Sequence, residues 1–172
     1  MITVYSPRPR KNSKLWLGLA LAVVVISMAS ALYLQYAFDL APCPLCAMQR
    51  AVILVAAFFL LLGLIAGPLG QTVSSAAAAL FALIAAGIAG WHSWIVAFPP
   101  ESMSCGRPFE WFNQEFPLSV WLPKLFRGDG DCLATDWTLL GLNVPNLALI
   151  SFLITAGLAV LALRAAQQER PR

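Results

Sequence analysis

The stretch AVILVAAFFLLLGLIAGPLGQTVSSAAAALFALIAAGIAGWHSWIVAFPP, residues 51–100, holds no Asp, Glu, Lys or Arg. That is too long for one bilayer crossing, which takes ~20 apolar residues for ~30 Å of hydrocarbon. The run breaks at Gly67-Pro68-Leu69-Gly70-Gln71, a turn-forming cluster. It therefore reads as two helices joined by a tight hairpin. Helices satisfy their backbone groups internally, as lipid requires. Working outward, residues 15–38 and 137–163 are also free of charge. Four spans follow, at about 15–36, 45–65, 73–97 and 144–163, in a single membrane domain covering 1–172. The expected fold is an all-α integral membrane protein, a four-transmembrane-helix bundle with a long outward loop at about 98–143.

Composition agrees. Of 172 residues, 60% are hydrophobic and 11% charged, against about 25% charged in a soluble domain. A disordered chain would be polar and charge-rich, and a soluble surface needs more charge than this. The few charges mark the connections. The two tails carry Arg8, Arg10, Lys11, Lys14, Arg164, Arg170 and Arg172 against Glu169 alone. The long loop carries Arg107, Lys124 and Arg127 against Glu101, Glu110, Glu115, Asp129, Asp131 and Asp136. Basic residues near spans favour the cytoplasm, so both termini are expected there and the long loop outside. The 67–71 hairpin carries no basic residue, so orientation rests on the tails. Basic residues, an apolar run and Ala29-Ser30-Ala31 also have the outline of a cleavable signal. The apolar run continues through Leu34, and cleavage would leave an odd number of spans, so an uncleaved first span is expected.

Two segments have ordinary physical readings. In the third span Ala78, Ala82, Ala86 and Gly90 recur every fourth residue, a face that lets helices approach closely in lipid. In the long loop Phe109, Trp111, Phe112, Phe116, Trp121 and Phe126 interleave with polar residues. This segment reads either as a helix lying in the membrane interface or as a packed loop, and Pro117 and Pro123 would break it into short pieces.

All four cysteines fall on the outward side. Cys43 and Cys46 form Cys-Pro-Leu-Cys at the start of the second span, and Cys105 and Cys132 lie in the long loop. Disulfides persist in oxidising compartments. Of three pairings, spacing favours 43–46 with 105–132. Chain entropy gives roughly 3.6 kcal/mol for a ring the size of 105–132 but roughly 1.9 kcal/mol for the tight Cys-X-X-Cys ring, before strain. The tight pair is a poor staple and a better exchange centre. A zinc site of four thiolates would require the loop pair to join the motif, so no metal is expected. Pro44 suits the first helical turn, and Cys46 then lies where the helix dipole favours a thiolate.

Arg50 is the only charge inside a span and follows Cys46 by four residues, on the same helix face. It reads either as a snorkelling cation or as a positive charge beside a thiolate or a reduced cofactor. His92, the only histidine, lies near the outer end of the third span between Trp91 and Trp94. Antiparallel helices bring Cys46, Arg50 and His92 to a similar depth. The bland reading of His92 is an interfacial residue among belt tryptophans. With one histidine, bis-histidine haem is excluded within the chain.

Four spans, Cys43-Pro44-Leu45-Cys46 with Arg50, two loop cysteines, and Gly130-Asp131-Cys132 followed by Trp137, Leu140-Gly141-Leu142 and Pro145 together resemble the DsbB family. These are bacterial inner-membrane disulfide bond formation proteins. The resemblance covers nearly the whole chain. It implies a membrane thiol oxidase that re-oxidises a periplasmic DsbA-like thioredoxin-fold protein and passes two electrons to membrane quinone, ubiquinone or menaquinone. By position, Cys105–Cys132 would be the disulfide attacked by the partner, with Cys105 in the mixed disulfide. Cys132 would exchange with Cys43, and Cys46 would face the quinone. Arg50 and His92 would be the quinone-binding residues. Gln49 stands where some relatives carry an acidic residue, so the resemblance does not define the partner of Arg50. The order of attack rests on the resemblance alone, because Asp129 and Asp131 should disfavour a Cys132 thiolate while Arg107 favours that of Cys105. The resemblance also implies an inner-membrane location with the cysteines facing the periplasm, and no nucleic-acid partner is expected. Two other readings are a structural four-span protein with inert outer disulfides and a quinone reductase like vitamin K epoxide reductase. The match after Cys132 favours the DsbB reading over the latter.

Overall fold

The structure is a computed structural model that describes residues 12–99, 122, 126, 128, 130–133 and 137–169. Cys105 and most of the aromatic-rich segment lie outside the described residues. Of that segment, Leu122 and Phe126 are described: the Phe126 amide donates to the Leu122 carbonyl at 3.1 Å, and Phe126 is buried.

Four long helices dominate: α1 Ser13–Ala37, α2 Pro44–Ile65, α3 Pro68–Ala97 and α4 Val144–Glu169. All four are long and apolar enough to cross a membrane; even the shortest, of 22 residues, exceeds ~30 Å at ~1.5 Å per residue. The chain is thus an all-α four-span membrane protein. α3 packs along α2 and α4, and α1 closes the ring against the same two helices, while α2 and α4 scarcely touch.

Local chemistry explains the boundaries. Pro44 and Pro68 each occupy a first helical turn, where the missing N–H costs nothing and the fixed φ already suits the helix. That is why α3 starts at Pro68, five residues before the expected 73: the Gly-Pro punctuation is the helix start itself. α4 runs on past Arg164 because Ala165 and Ala166 are both buried; the charge ends the apolar run but not the helix. Asn143 caps α4, its Oδ1 accepting from the Asn146 amide at 3.2 Å.

Ahead of α4 lies a small antiparallel hairpin absent from the sequence reading, β1 Thr138–Leu139 and β2 Leu142–Asn143. Its two-residue turn places Leu140 at φ 53° and Gly141 at φ 80°. Both central residues are left-handed, as in a type I′ turn. An Asn or Gly at the first position would have signalled it; leucine did not.

The core is built from small residues. Leu17, Ala20 and Val24 of α1 share one buried cluster with Ile53, Ala56 and Leu60 of α2. Ala78, Ala82 and Ala86 of α3 are buried, as expected from their spacing, and so are Ala85 and Ala89, which widen the small face. Gly90 is only partly buried; a Cβ there would reach Leu149 at an ordinary 3.9 Å. Large apolar side chains such as Ile26, Phe58, Leu61 and Leu83 point outward instead, as lipid permits. At the end away from the cysteines, Ser13 Oγ donates to Gln71 Oε1 at 2.8 Å in a buried contact that ties α1 to α3. Replacing Ala82, which is fully buried, by leucine should overpack the α3 interface and cost about 1–3 kcal/mol. Thermal unfolding in detergent should show a clearly lower midpoint for Ala82→Leu and little change for Leu83→Ala on the outward face.

Candidate functional site

Helix α2 begins with its own cysteine as cap. Cys43 is extended (φ −80°, ψ 166°), and its Sγ accepts from the Cys46 amide at 3.3 Å. An oxygen-bearing side chain usually fills this role; here sulfur does. The cap and the third helical residue face one another across the first turn, so the two sulfurs lie 3.1 Å apart. Pro44 between them starts the helix and thereby holds the pair together. The Cys43 thiol is pushed up, first by its hydrogen bond to Cys132, then by that to Cys46 and by burial.

His92 reaches this point from α3. It is 2% exposed, so both ring nitrogens must find partners inside the protein. Nε2 lies 3.0 Å from the Cys132 carbonyl and 3.8 Å from Cys43 Sγ. A carbonyl only accepts, so Nε2 carries the proton. Nδ1 then accepts, and the Gln49 amide donates to it at 3.3 Å. Gln49 is itself 4% exposed, one helical turn beyond Leu45. This single ring joins α2, α3 and the loop bearing Cys132.

The loop is held against α2 by backbone contact. The Gly130 amide donates to the Pro42 carbonyl at 3.0 Å. A Cβ on Gly128 would come within 2.5 Å of Pro44 Cα and N, and one on Gly130 would collide with the Ala41 carbonyl. Only glycine allows so close an approach, and it seats the buried Cys132 beside Cys43.

Arg50 lies one turn below Cys46 and is 8% exposed. Its Nη1 donates to Gln35 Oε1 of α1 at 2.8 Å. It is a buried cation held by a neighbouring helix, not a chain reaching out to lipid headgroups. Beside these residues a cavity of about 1020 Å³ opens among α1, α2 and α4. Cys46, Gln49, Arg50 and His92 line one part of it; Val24, Met28, Leu147 and Phe152 are among its apolar lining.

The structure thus brings together Cys43, Cys46, His92 and Cys132, with Arg50 a turn deeper, and Cys105 lies outside the described residues. Sequence reasoning missed Gln35 as the partner of Arg50, Gln49 as the partner of His92, and Gly128; Gly130 stood out only as part of the Gly130-Asp131-Cys132 motif. The available signal for Gln35 was a lone amide within an uncharged span, and for Gln49 its place next to Arg50.

Residues 12–162 match the family model described as disulfide bond formation protein DsbB. Curated relatives named disulfide bond formation protein B agree. The one from Paracidovorax citrulli is 37% identical, over 90% of this chain and 89% of its own. Those from Verminephrobacter eiseniae and an Azoarcus species are each 40% identical, covering 89% and 88% of this chain and 89% and 92% of theirs.

In a variant retaining only Cys43 and Cys132, a mild oxidant should link the two readily. Adding Gly128→Ala should slow that link by roughly tenfold or more, since ångström-scale misplacement costs rate on that scale. Quantitative non-reducing electrophoresis measures it, with circular dichroism showing that the helices persist.

Proposed function

The chain belongs to the DsbB family, and on that premise we propose that it is a membrane thiol oxidase that re-oxidises a periplasmic DsbA-like thioredoxin-fold protein and delivers the two electrons to membrane quinone. Its role in disulfide bond formation and its multi-pass membrane character follow from the family and the four spans. The partner, the acceptor, the inner-membrane location and the cytoplasmic termini are part of the proposal.

The observation that carries it is the meeting of three cysteines, one imidazole and one buried guanidinium beside an apolar cavity. Such a cavity suits a ring with a lipid tail: about 1020 Å³ and mostly apolar, with Gln35, Gln49, Arg50 and His92 among its polar lining. Cys46, Arg50 and His92 would hold the quinone there, which supplies an acceptor for two electrons and two protons.

The chain's own residues do the rest. A partner thiolate attacks Cys105 of the Cys105–Cys132 disulfide, forming a mixed disulfide and freeing Cys132. The Cys132 thiolate then attacks Cys43, the Cys43–Cys46 bond breaks, and Cys46 leaves as a thiolate. The second partner thiol resolves the mixed disulfide on Cys105, leaving the partner oxidised. The Cys105 thiolate then attacks Cys132, which restores the Cys105–Cys132 disulfide and frees Cys43 as a thiolate. The Cys43/Cys46 dithiol is then ready to give two electrons and two protons to a quinone held in the cavity, re-forming its own disulfide. Nε2–H of His92 holds the Cys132 carbonyl, and so aligns attacker with target. Arg50, aimed by Gln35, supplies positive charge beside the thiolate and the reduced acceptor. A strong oxidant such as DsbA, at about −120 mV, needs an acceptor more oxidising still, which a quinone provides.

Purified protein with reduced partner and a soluble ubiquinone or menaquinone analogue should consume two partner thiols per quinone reduced. No turnover with either quinone, all four cysteines intact, would sink the proposal. Cys46→Ala should abolish quinone reduction while the partner still becomes trapped on Cys105. Arg50→Gln should raise the quinone KM by about tenfold, the weight of a lost charge-assisted hydrogen bond.

A further inference from the structure

Cys43 Sγ, Cys46 Sγ and a ring nitrogen of His92 all lie within 4.8 Å of one another, contributed by two helices. A tetrahedral ion with sulfur at ~2.3 Å and nitrogen at ~2.05 Å sets two sulfurs about 3.8 Å apart and sulfur and nitrogen about 3.6 Å apart. The distances here are 3.1 Å between the sulfurs and 3.8 Å from Cys43 Sγ to Nε2. The sulfurs need to part by less than an ångström, within reach of a small χ1 adjustment at half-buried Cys46.

We propose that in the dithiol state Cys43, Cys46 and His92 form a binding site for a soft divalent cation of the zinc or cadmium class, which holds the pair reduced. The chemistry selects such ions. Two thiolates and an imidazole are soft and intermediate donors, poorly matched to Mg²⁺ or Ca²⁺. Binding releases two thiol protons, so the ion and its two thiolates sum to zero charge, as a buried site next to Arg50 requires. The disulfide has no thiolate to offer, so only the reduced form binds.

Gln49 makes the histidine available. In the metal-free site its amide NH₂ donates to Nδ1. Turned over, the same amide presents Oε1 and accepts from Nδ1–H, which leaves the Nε2 lone pair for the ion. The cost is the hydrogen bond from Nε2 to the Cys132 carbonyl. A water from the adjoining cavity completes the fourth position. The ion and the Cys132 loop thus compete for one ring nitrogen.

The test needs neither quinone nor partner, so its failure would leave the thiol-oxidase reading standing. Full-length protein in detergent, reduced and freed of reductant, is titrated with Cd²⁺, followed by thiolate-to-metal charge-transfer absorption, and with Zn²⁺ against a chromophoric chelator. One equivalent should bind to the reduced protein and none to the oxidised protein. Cys105→Ala/Cys132→Ala should keep the site. Cys46→Ser and His92→Gln, each checked for helix content, should weaken binding by at least about tenfold. Bound Zn²⁺ should shield Cys43 and Cys46 from alkylation until a chelator is added. Equal affinity in His92→Gln, binding to the disulfide form, or loss of binding in the loop-cysteine variant would each overturn the proposal.

Discussion

Everything at the cysteine end depends on how one buried imidazole is satisfied. His92 is shut away from solvent, and an unpaired buried nitrogen costs about 1–3 kcal/mol. It is paired on one side with the Gln49 amide and on the other with the Cys132 carbonyl. That double demand aligns α3 with α2 and keeps the loop at the head of α2. The same ring lies 3.8 Å from Cys43 Sγ, so the groups that hold the site together are also the groups that surround the reactive sulfurs.

The bundle gives this end its rigidity by unusual means. In lipid no hydrophobic drive separates core from surface, so association relies on close packing. Alanines on α3 permit that closeness, and the bulky side chains face outward. Polar contacts between helices lie at both ends: Ser13 with Gln71 at one, Gln49 with His92 and Arg50 with Gln35 at the other. Between α1, α2 and α4 the packing leaves the cavity on which Arg50 and Cys46 open.

Local features of the chain were the legible ones. The uncharged runs announced four helices, and Cys-Pro-Leu-Cys announced a helix start bearing a redox-type pair; that Cys43 itself caps the helix came from the structure. Cys46 and Arg50 share a face because helical periodicity is local. Pro68 fits a turn and a helix start equally well by sequence, because proline punctuates loops and opens helices alike. The hairpin before α4 escaped notice because Leu140 bears a positive φ that leucine rarely adopts. The partners of Arg50 and His92 were not legible. Gln35 and Arg50 are 15 residues apart, and Gln49 and His92 are 43 apart, so only the rotation of each helix in the bundle decides whether they meet.

The number of spans, the small face of α3 and the position of Cys43 and Cys46 at the head of α2 follow from residue type and spacing along the chain. That Cys43, Cys46, His92 and Cys132 share one site, and that Gln49 and Gln35 serve the histidine and the arginine, comes from the packing of the helices. Those meetings depend on backbone approach at Gly128 and Gly130 and on which face each helix turns inward. No stretch of chain carries that information alone.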